Sequence, residues 1–393
     1  MDAAGAGSGI NKEAPHSSHE PRHAPDCRPA RRVLPGLLLL AGLTPMIAGS
    51  EPHAAGGGPG PVPADSPNAV YEGRFAVDAS GAVRLGFPGV VAHLRFRGTA
   101  LSLTADASNG DSMFDVSIDG GQPTLLRLQK GTATYSLFSG PGGEHALELT
   151  RRNESWRGTC ALSGYLPGAD GVLLPPAPLP ARKLMFIGDS VTCGELTAWS
   201  AGGDPKDGIN SDARISYGMI LARRLSAQCH LVSYGGKGLI RDWQGIRTGT
   251  NAPQFYERAL PDDPSTHWPP GSYVPDAIGI QLGTNDFSSG IPTKEEFVTP
   301  YITFIRRLRA DAPQALIFVM DSPIVRDDPA GGPKRTVLHG YLEDVVAAFA
   351  SPRVILEPLR HYPGVPGNGH PTGPEHVAMA DELEPVLRSA LGW

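Results

Sequence analysis

The spacing of apolar and polar residues changes character near the middle of the chain. Within residues 70–166, apolar and polar positions alternate in short segments such as 91–97, 100–104 and 114–118. Residues 119–121, Asp-Gly-Gly, have the composition of a hairpin turn. Many short, half-buried strands at this close spacing predict an antiparallel β-sandwich.

After residue 181 the pattern is one of continuous apolar runs separated by segments of helical periodicity. The predicted strands are 184–187, 230–233, 277–282, 316–320 and 354–356. The predicted helices are 215–225, 295–308, 337–349 and 377–391. Thr293 and Glu296 form a capping box at the start of the second helix. Strands that alternate with helices predict an α/β fold with a doubly wound, mainly parallel sheet.

Segments rich in glycine and proline separate these two patterns. With 393 residues the chain is too long for one ordinary domain, so two domains are expected. Glycine and proline are dense both before and after the β region, as in linkers between domains. The predicted organisation is a leader at 1–55, a linker at 56–69, a β-sandwich at 70–166, a proline-rich connector at 167–181 and an α/β domain at 182–393.

The leader has the order of a secretory signal. Residues 1–32 lack an apolar period and are expected to be unstructured. Their arginine-rich end precedes an apolar run at 33–48, which leads into the small residues Ala48-Gly49-Ser50. We therefore predict a signal peptide around 28–50 and a secreted or periplasmic protein. The alternative is a membrane anchor at 33–48, but this run is shorter than the about 20 residues that span a bilayer. No stable membrane span is expected after signal removal.

Charge and cysteine content exclude several functions. A net charge of -6 argues against a nucleic acid partner, which requires a basic surface. Cys27 belongs to the leader, which leaves Cys160, Cys193 and Cys229. An odd number cannot be fully paired, and no cysteine or histidine spacing suggests zinc, so no metal or cofactor is expected. Whether any of the three forms a disulfide stays open.

The segment 183–190, Lys-Leu-Met-Phe-Ile-Gly-Asp-Ser, is the first candidate for chemistry. A short apolar run leads directly into Gly188, Asp189 and Ser190, which predicts a buried parallel strand that ends at the serine. Open α/β sheets carry their active sites at such strand ends. Ser190 is therefore a candidate nucleophile, and the alternative is a turn serine that caps a helix. Cys193, three residues on, is expected to pack beneath the first turn of that helix.

Three further segments follow Ser190 in order. They are 234–243 (Tyr-Gly-Gly-Lys-Gly-Leu-Ile-Arg-Asp-Trp), 283–286 (Gly-Thr-Asn-Asp) and His370-Pro371. Together with Gly-Asp-Ser they resemble the four sequence blocks of the SGNH (GDSL-type) hydrolase superfamily. The Gly-x-Ser-x-Gly elbow of the α/β-hydrolases is absent.

The N-terminal region carries a second resemblance. The segments 70–74 (Val-Tyr-Glu-Gly-Arg), 96–99 (Phe-Arg-Gly-Thr), 116–120 (Val-Ser-Ile-Asp-Gly) and 151–154 (Arg-Arg-Asn-Glu) are similar to the accessory β domain of carbohydrate esterase family 2. That family joins a jelly-roll domain to an SGNH domain and removes acetyl groups from sugars. The resemblance covers about 70–390. It implies a secreted, acetyl xylan esterase-like serine esterase that acts on an acetylated glycan through an acyl-enzyme.

The resemblance also implies a role for each block. Ser190 is the nucleophile and His370 is the base that deprotonates it. The backbone N–H groups of Ser190 and Gly236, together with the side-chain amide of Asn285, form the oxyanion hole. Two other glycines of the same segment compete with Gly236 for this role. Asn285 has the alternative of capping a helix or turn.

A third, acidic member of the catalytic group is not expected. The superfamily usually places Asp three residues before the histidine, where this chain has Gly367. A Ser-His dyad is therefore predicted, with a backbone carbonyl as the acceptor that orients His370 and the Asn368 side chain as the second choice. Glu357 and Glu375 are expected to be solvated surface residues.

Trp243 and Trp268 are candidates for stacking on a sugar ring, although packing in a core or loop is equally open for both. Two other functions are compatible with the same residues. One is a GDSL-type esterase or lipase acting on other small acyl esters, and the other is an inactive hydrolase domain that binds carbohydrate. The glycan, the acetylated hydroxyl and the oligomeric state stay open.

Overall fold

The alternating segments of the N-terminal half form one antiparallel sheet of ten strands in the computed structural model, which describes residues 60–393. The strands are β1 (Val62–Pro63), β2 (Ala69–Glu72), β3 (Phe75–Val77), β4 (Val83–Leu85), β5 (Val91–Ala107), β6 (Met113–Ile118), β7 (Thr124–Arg127), β8 (Gly131–Arg151), β9 (Cys160–Pro167) and β10 (Val172–Leu174). Along the main path their order is β3-β4-β9-β5-β8-β6-β7. The predicted antiparallel sheet is confirmed.

The long strands β5 and β8 organise this sheet. They pair with each other along nearly their whole length, with register shifts between Gly98 and Ala100 and between Leu101 and Ser102. Such bulges bend and twist the strands that they interrupt, which lets one long strand curve around a core. Strand β5 also pairs with β2, β9 and β10.

Two predicted connecting segments contribute strands to this sheet. β1 lies within the predicted linker 56–69 and pairs with β9, and β10 lies within the predicted connector 167–181 and pairs with β5. Proline therefore stands next to sheet edges here, where a missing N–H is tolerated. The predicted leader, with its signal peptide, lies outside the described residues.

The C-terminal half is a five-stranded sheet in which all neighbouring strands are parallel. Its strands are β11 (Arg182–Gly188), β12 (Ala227–Ser233), β13 (Ala277–Gln281), β14 (Leu316–Met320) and β15 (Val354–Glu357), in the order β12-β11-β13-β14-β15. The helices are α1 (Ser190–Cys193), α2 (Tyr217–Leu225), α3 (Ala252–Tyr256), α4 (Thr284–Ser288), α5 (Lys294–Asp311), α6 (Lys334–Ala347) and α7 (Gly373–Leu391). The predicted parallel α/β fold is confirmed.

Helices cover both faces of this parallel sheet, which explains why its strands are continuous apolar runs. Phe297 of α5 and Leu338 of α6 belong to one buried cluster. Tyr217 of α2 and Met379 of α7 belong to a second cluster on the other face. The predicted capping box of Thr293 opens α5 as expected.

The two sheets pack tightly against each other. The buried Asp115 carboxylate of β6 accepts from Arg152 at 2.7 Å and from Arg214 of the α/β region at 2.9 Å. The hydroxyl of Ser155 donates to the backbone carbonyl of Ser233, at the end of β12, at 2.7 Å. One buried apolar cluster contains residues of both sheets. The β region therefore packs on the α/β region.

Within residues 60–393, no helix is long and apolar enough to cross a bilayer. In the same part of the chain, no group of three or more histidine, cysteine, aspartate or glutamate side chains is placed to hold a metal ion. Cys160, Cys193 and Cys229 are all buried and free.

Candidate active site

Ser190 stands at the carboxyl end of the central strand β11 and begins the one-turn helix α1. Asp189 caps this helix, and its Oδ1 accepts from the N–H of Val191 at 3.0 Å. A Cβ at Gly188 would overlap the Thr192 hydroxyl, so only glycine permits this tight turn from strand to helix. Ser190 is 5% exposed, which leaves its hydroxyl in a fixed position at the sheet edge.

His370 reaches Ser190 from the loop between β15 and α7. Its Nε2 lies 2.7 Å from Ser190 Oγ. On the other side of the ring, Nδ1 contacts Asn368 Oδ1 within hydrogen-bond reach. A proton on Nδ1 that is donated to Asn368 leaves Nε2 free to accept the serine proton, which is the tautomer a general base requires. The structure thus brings Ser190 and His370 together with a defined ring orientation.

The group that orients His370 differs from the first expectation. The acceptor of Nδ1 is the side chain of Asn368, the second choice, and not a backbone carbonyl. Glu375 is not a free surface residue, because it caps α7 by accepting from the N–H of Thr372 at 2.6 Å. Glu357 ends β15 and, like Glu375, is not among the hydrogen-bond or ion-pair partners of His370 within the described residues.

Gly236 supplies one of the two candidate backbone donors. Its φ of +76° lies in the left-handed region, and a Cβ there would come within 3.0 Å of the Trp243 ring. Side chains are therefore disfavoured at this position for two reasons. Within residues 60–393, the N–H groups of Ser190 and Gly236 donate to no other protein group. Both residues line the same cavity, which leaves these two donors available to a ligand.

Asn285 supplies the third candidate donor. It lies inside α4, whose N-cap is Gly283, so it is not a capping residue. One hydrogen of its Nδ2 is donated to the carbonyl of Lys237 at 2.9 Å. The second hydrogen of the same nitrogen is left for a ligand, and the side chain is held at the wall of the cavity by the first.

Two aspartates beside the candidate residues hold loops, as their position next to motif residues suggested. Asp286 accepts from the backbone N–H groups of Leu239, Ile240 and Arg241 at 2.8 to 3.3 Å. Burial raises the pKa of Asp286 while these bonds lower it. Burial likewise raises the pKa of Asp189, to about 7, against the hydrogen bonds that it accepts.

The remaining motif neighbours are structural. Cys193 is buried, and its thiol points at the Ser233 hydroxyl at 3.3 Å, which confirms its packing role. His376 lies in the first turn of α7, where Nδ1 accepts from the N–H of Tyr217 at 3.0 Å. Burial lowers the pKa of His376 to about 3, so this imidazole is neutral and is not a second base.

An open cavity of about 790 Å³ is lined by the candidate residues Ser190, Gly236, Asn285, Asn368 and His370. Two of its lining side chains are exposed tryptophans, Trp243 at 58% and Trp156 at 49%. Trp156 comes from the N-terminal region, from the short 3-10 turn Ser155–Arg157. The β region therefore borders this cavity.

Trp268 lies away from this cavity, and of the two interpretations left open for it the structure shows packing and not a place at the cleft. It packs edge-on against Phe75 and His230 and lies 5.3 Å from the guanidinium of Arg74. The cavity that it lines is a separate one, which does not contain Ser190. The half-buried ring thus joins the interface between the two sheets.

Sequence reasoning missed three residues near the dyad: Trp156, Glu154 and Glu195. Oε2 of Glu195 lies 3.3 Å from Nε2 of His370. Its position five residues after Ser190, just beyond α1, is a signal that could have identified it. Glu154 and Trp156 reach the site only through the packing of the two sheets, which no local pattern encodes.

The arrangement as a whole is suited to acyl transfer. A hydroxyl touches a base of fixed tautomer, and three hydrogen-bond donors line the same open cavity. A nucleophile, a base and donors for an oxyanion are what ester cleavage requires.

Comparison with known proteins agrees with this chemistry. Residues 71–178 match the family described as Carbohydrate esterase 2 N-terminal, and residues 186–375 match the GDSL-like Lipase/Acylhydrolase family. The chain is 38% identical over 335 residues to the acetylxylan esterase / glucomannan deacetylase of Cellvibrio japonicus, covering 84% of this chain and 91% of that protein. It is 31% identical to the cellulase/esterase CelE of Acetivibrio thermocellus, covering 84% of this chain and 40% of that protein.

Solved structures give the same result. A family two carbohydrate esterase from Cellvibrio japonicus superposes with a TM-score of 0.80 at 36% identity, covering 85% of this chain and 98% of that one. A family two carbohydrate esterase from Clostridium thermocellum, in complex with cellohexaose, superposes with a TM-score of 0.76 at 29% identity, covering 83% and 99%.

Proposed function

The chain belongs to carbohydrate esterase family 2 and is a carboxylic ester hydrolase, and on this premise we propose that it removes O-acetyl groups from a polysaccharide or oligosaccharide by a Ser-His dyad. The observation that carries the dyad is the 2.7 Å contact between Ser190 Oγ and His370 Nε2 in an open cavity. Acetylated xylan and mannan are the proposed substrate types. No metal or cofactor takes part in this proposal.

In the first half of the proposed reaction, His370 Nε2 takes the proton of Ser190 Oγ as this oxygen attacks the acetyl carbonyl carbon. The carbonyl oxygen becomes an oxyanion, which accepts from the N–H groups of Ser190 and Gly236 and from the amide of Asn285. The C–O bond to the sugar then breaks. His370 returns its proton to the leaving sugar oxygen, and the acetyl group stays on Ser190 as an ester.

In the second half, water replaces the sugar. His370 removes a proton from the water as its oxygen attacks the acetyl carbon, and the same donors stabilise the second oxyanion. The bond to Ser190 Oγ breaks, the proton on His370 returns to this oxygen, and acetic acid leaves and ionises to acetate by releasing the second proton of the water. Asn368 holds the imidazole in the required tautomer through both halves.

Two features support a carbohydrate as the leaving group. Trp156 and Trp243 expose flat rings at the cavity wall, where a sugar ring can stack. A relative of this chain is named an acetylxylan esterase / glucomannan deacetylase, and a structural neighbour is in complex with cellohexaose. Because such polymers lie outside cells, we also propose that the leader exports the protein. For the N-terminal sheet, with its long bent strands, we propose a jelly-roll arrangement.

The test is acetate release by the full chain from acetylated xylan, acetylated glucomannan and 4-nitrophenyl esters of increasing acyl length. We expect the acetylated polymers and the acetyl ester to be the best substrates. Ser190→Ala and His370→Ala should each lower kcat by more than about 10⁴-fold, and the double variant should be no worse than either, because the two residues act as one unit. Normal circular dichroism spectra would show that the variants fold.

Several outcomes would overturn the proposal. Activity retained by Ser190→Ala would reject the mechanism. Higher kcat/KM on long acyl chains would favour a lipase-like esterase. Binding of the glycan with no acetate released would indicate a carbohydrate-binding protein with an inactive hydrolase domain.

A further inference from the structure

A carboxylate lies beside the proposed base, on the side where the chemistry takes place. Glu195 follows α1, and its Oε2 is 3.3 Å from Nε2 of His370. This is the nitrogen that contacts Ser190 Oγ, not the nitrogen that contacts Asn368. The Glu195 side chain is 20% exposed, so its charge is only partly screened by water.

A second carboxyl group packs behind Glu195 from the N-terminal region. Glu154 is 1% exposed and precedes the turn Ser155–Arg157. Its Oε2 accepts from Nε1 of Trp156 at 2.8 Å. Its Oε1 is fully buried and has no hydrogen-bond donor among residues 60–393. A Cβ at Gly235 would overlap Glu154 Oε2, so a glycine is what admits this carboxyl at the cavity wall.

The carboxyl group of Glu195 is close enough to Glu154 to raise the pKa of the Glu154 carboxyl, both through its charge and as a hydrogen-bond partner. Two carboxyl groups can share a hydrogen bond only when one of them carries a proton. Burial, followed by the charge of Glu195, raises the pKa of Glu154 well above its usual range. The more deeply buried of the two is thus the group that retains the proton.

The other titratable groups around the pair do not change this assignment. The Arg157 guanidinium and the Trp156 N–H act on the Glu154 pKa in the opposite direction, but more weakly than burial. The Cys193 thiol and the Tyr234 hydroxyl are close enough to be affected by the charge of Glu154, and burial raises the pKa of both, so both are neutral.

We propose that Glu154 and Glu195 form a carboxylic acid–carboxylate pair in which Glu154 holds the proton and Glu195 holds one negative charge beside His370. The pair stabilises the imidazolium that forms each time His370 takes a proton from Ser190 or from water. Glu154 donates to Glu195 and so makes this carboxylate a weaker base, which keeps it from capturing the proton of His370.

Both glutamates act through His370 and are therefore positioning residues. The inference rests on the proposed roles of Ser190 and His370. It implies that the N-terminal region sets the charge of the active site as well as its shape. The carboxylate acts from the Nε2 side of the ring, whereas the acid of a Ser-His-Asp triad acts from the Nδ1 side.

The test compares Glu195→Gln with Glu154→Gln in the full chain, with the exposed Glu343→Gln as the matched control. The readout is kcat and kcat/KM on 4-nitrophenyl acetate as a function of pH. For Glu195→Gln we expect kcat to fall roughly tenfold and the acidic limb of the profile to move about 0.5 to 1 pH unit lower, because the imidazolium loses a nearby negative charge. A purely structural role would not move this limb.

Glu154→Gln should behave differently. A glutamine amide donates to Glu195 as the neutral acid does and accepts from Trp156, so kcat should stay within about threefold and the limb should not move. The control Glu343→Gln should match the unmodified protein. An infrared difference spectrum of the unmodified protein against Glu154→Gln at pH 7 should contain the C=O stretch of a protonated carboxyl group. This measurement does not depend on whether Glu195→Gln folds.

The outcomes separate the two levels of the mechanism. If Ser190→Ala retains activity, the proposed function fails and this inference fails with it. If Ser190→Ala is inactive but Glu195→Gln has an unchanged profile, only the inference is wrong. The assignment of the proton to Glu154 would be rejected if the acidic limb of the pH profile moved in Glu154→Gln but not in Glu195→Gln. It would also be rejected if the infrared difference spectrum lacked the C=O stretch of a protonated carboxyl group.

Discussion

The two regions of the molecule build the same cavity in different ways. The α/β region supplies Ser190 from the start of α1 and His370 from the loop before α7, both at the carboxyl edge of a parallel sheet, where topology brings such segments together. The N-terminal region supplies Glu154 and Trp156 at one short turn, which reaches the cavity only because the two regions pack against each other. Short motifs can therefore reveal the first set of residues, whereas the second set depends on an interface between regions distant in sequence.

Removal of the whole N-terminal region should do the most damage. A fragment of residues 181–393 should fail to fold or should lose polymer hydrolysis, because a buried apolar cluster contains residues of both regions. Expression in soluble form and acetate release measure this directly. A soluble fragment with unchanged activity on polymer would show that the region is dispensable.

Within the α/β region, Asn285→Ala tests the oxyanion donors. The variant should lower kcat by about 10² to 10³-fold with little change in KM, because the donor acts on the charge that forms in the transition state. The Asn285 amide also donates to the carbonyl of Lys237, so a second variant is needed to separate the loss of the oxyanion donor from the loss of this contact. Asn285→Asp keeps the shape but replaces the donor with an acceptor, so it should be at least as impaired. Activity of Asn285→Ala close to that of the unmodified protein would exclude this donor.

Asp189 gives the α/β region a pH-dependent stability. Burial raises its pKa to about 7, whereas an unfolded aspartate titrates near 4. Between these values the folded state keeps a proton that the unfolded chain has released, so this group makes the protein less stable as pH rises from about 4 to about 7. In Asp189→Asn the free energy of unfolding, relative to the unmodified protein, should increase by about 2 to 4 kcal/mol across this window. Urea unfolding at several pH values measures it, and a pH-independent difference would contradict it.

Each region contributes one exposed tryptophan to the cavity, Trp156 from the N-terminal region and Trp243 from the α/β region, so their contributions to sugar binding can be compared. Trp243→Ala and Trp156→Ala should each raise KM for an acetylated oligosaccharide by up to about tenfold, since one stacked ring contributes about 0.5 to 1.5 kcal/mol. KM for 4-nitrophenyl acetate, which has no sugar, should change less in Trp243→Ala. Trp268→Ala is the matched control, because this ring lines a different cavity. An effect on oligosaccharide KM in Trp268→Ala alone would mean that sugars bind at that other cavity.

The smallest expected effects concern the orientation of His370. Asn368→Ala should lose a modest factor, up to about tenfold, because a water molecule can replace the lost acceptor. Glu357→Gln and Glu375→Gln should keep nearly all activity. A loss near 10⁴-fold in either glutamine variant, the scale known for a neutralised triad acid, would show that a carboxylate takes the place of Asn368 in solution.

Much of the fold was predictable from the sequence because hydrophobic period and turn composition are local. Alternation of apolar and polar positions predicted the antiparallel sheet, and continuous apolar runs predicted the buried parallel strands. The four spaced blocks identified Ser190, Gly236, Asn285 and His370, all of which the structure brings to one cavity. The predicted linker and connector nevertheless contain the short strands β1 and β10. Proline is tolerated in strands at a sheet edge, so a proline-rich composition does not exclude a strand.

Local pattern and short motifs in the sequence were enough to predict the two sheets, the strand end before the nucleophile and the His-Pro segment that contains the base. Three features could be read from the folded protein alone: which tryptophans reach the cavity, which side chain orients His370, and the position of Glu195 and Glu154 near the dyad. The physical reason is that these contacts depend on how loops and sheets pack across long sequence separations. A residue such as Trp156 has the same local sequence whether it faces solvent or a substrate, and only the docking of one sheet on the other places it at the cavity.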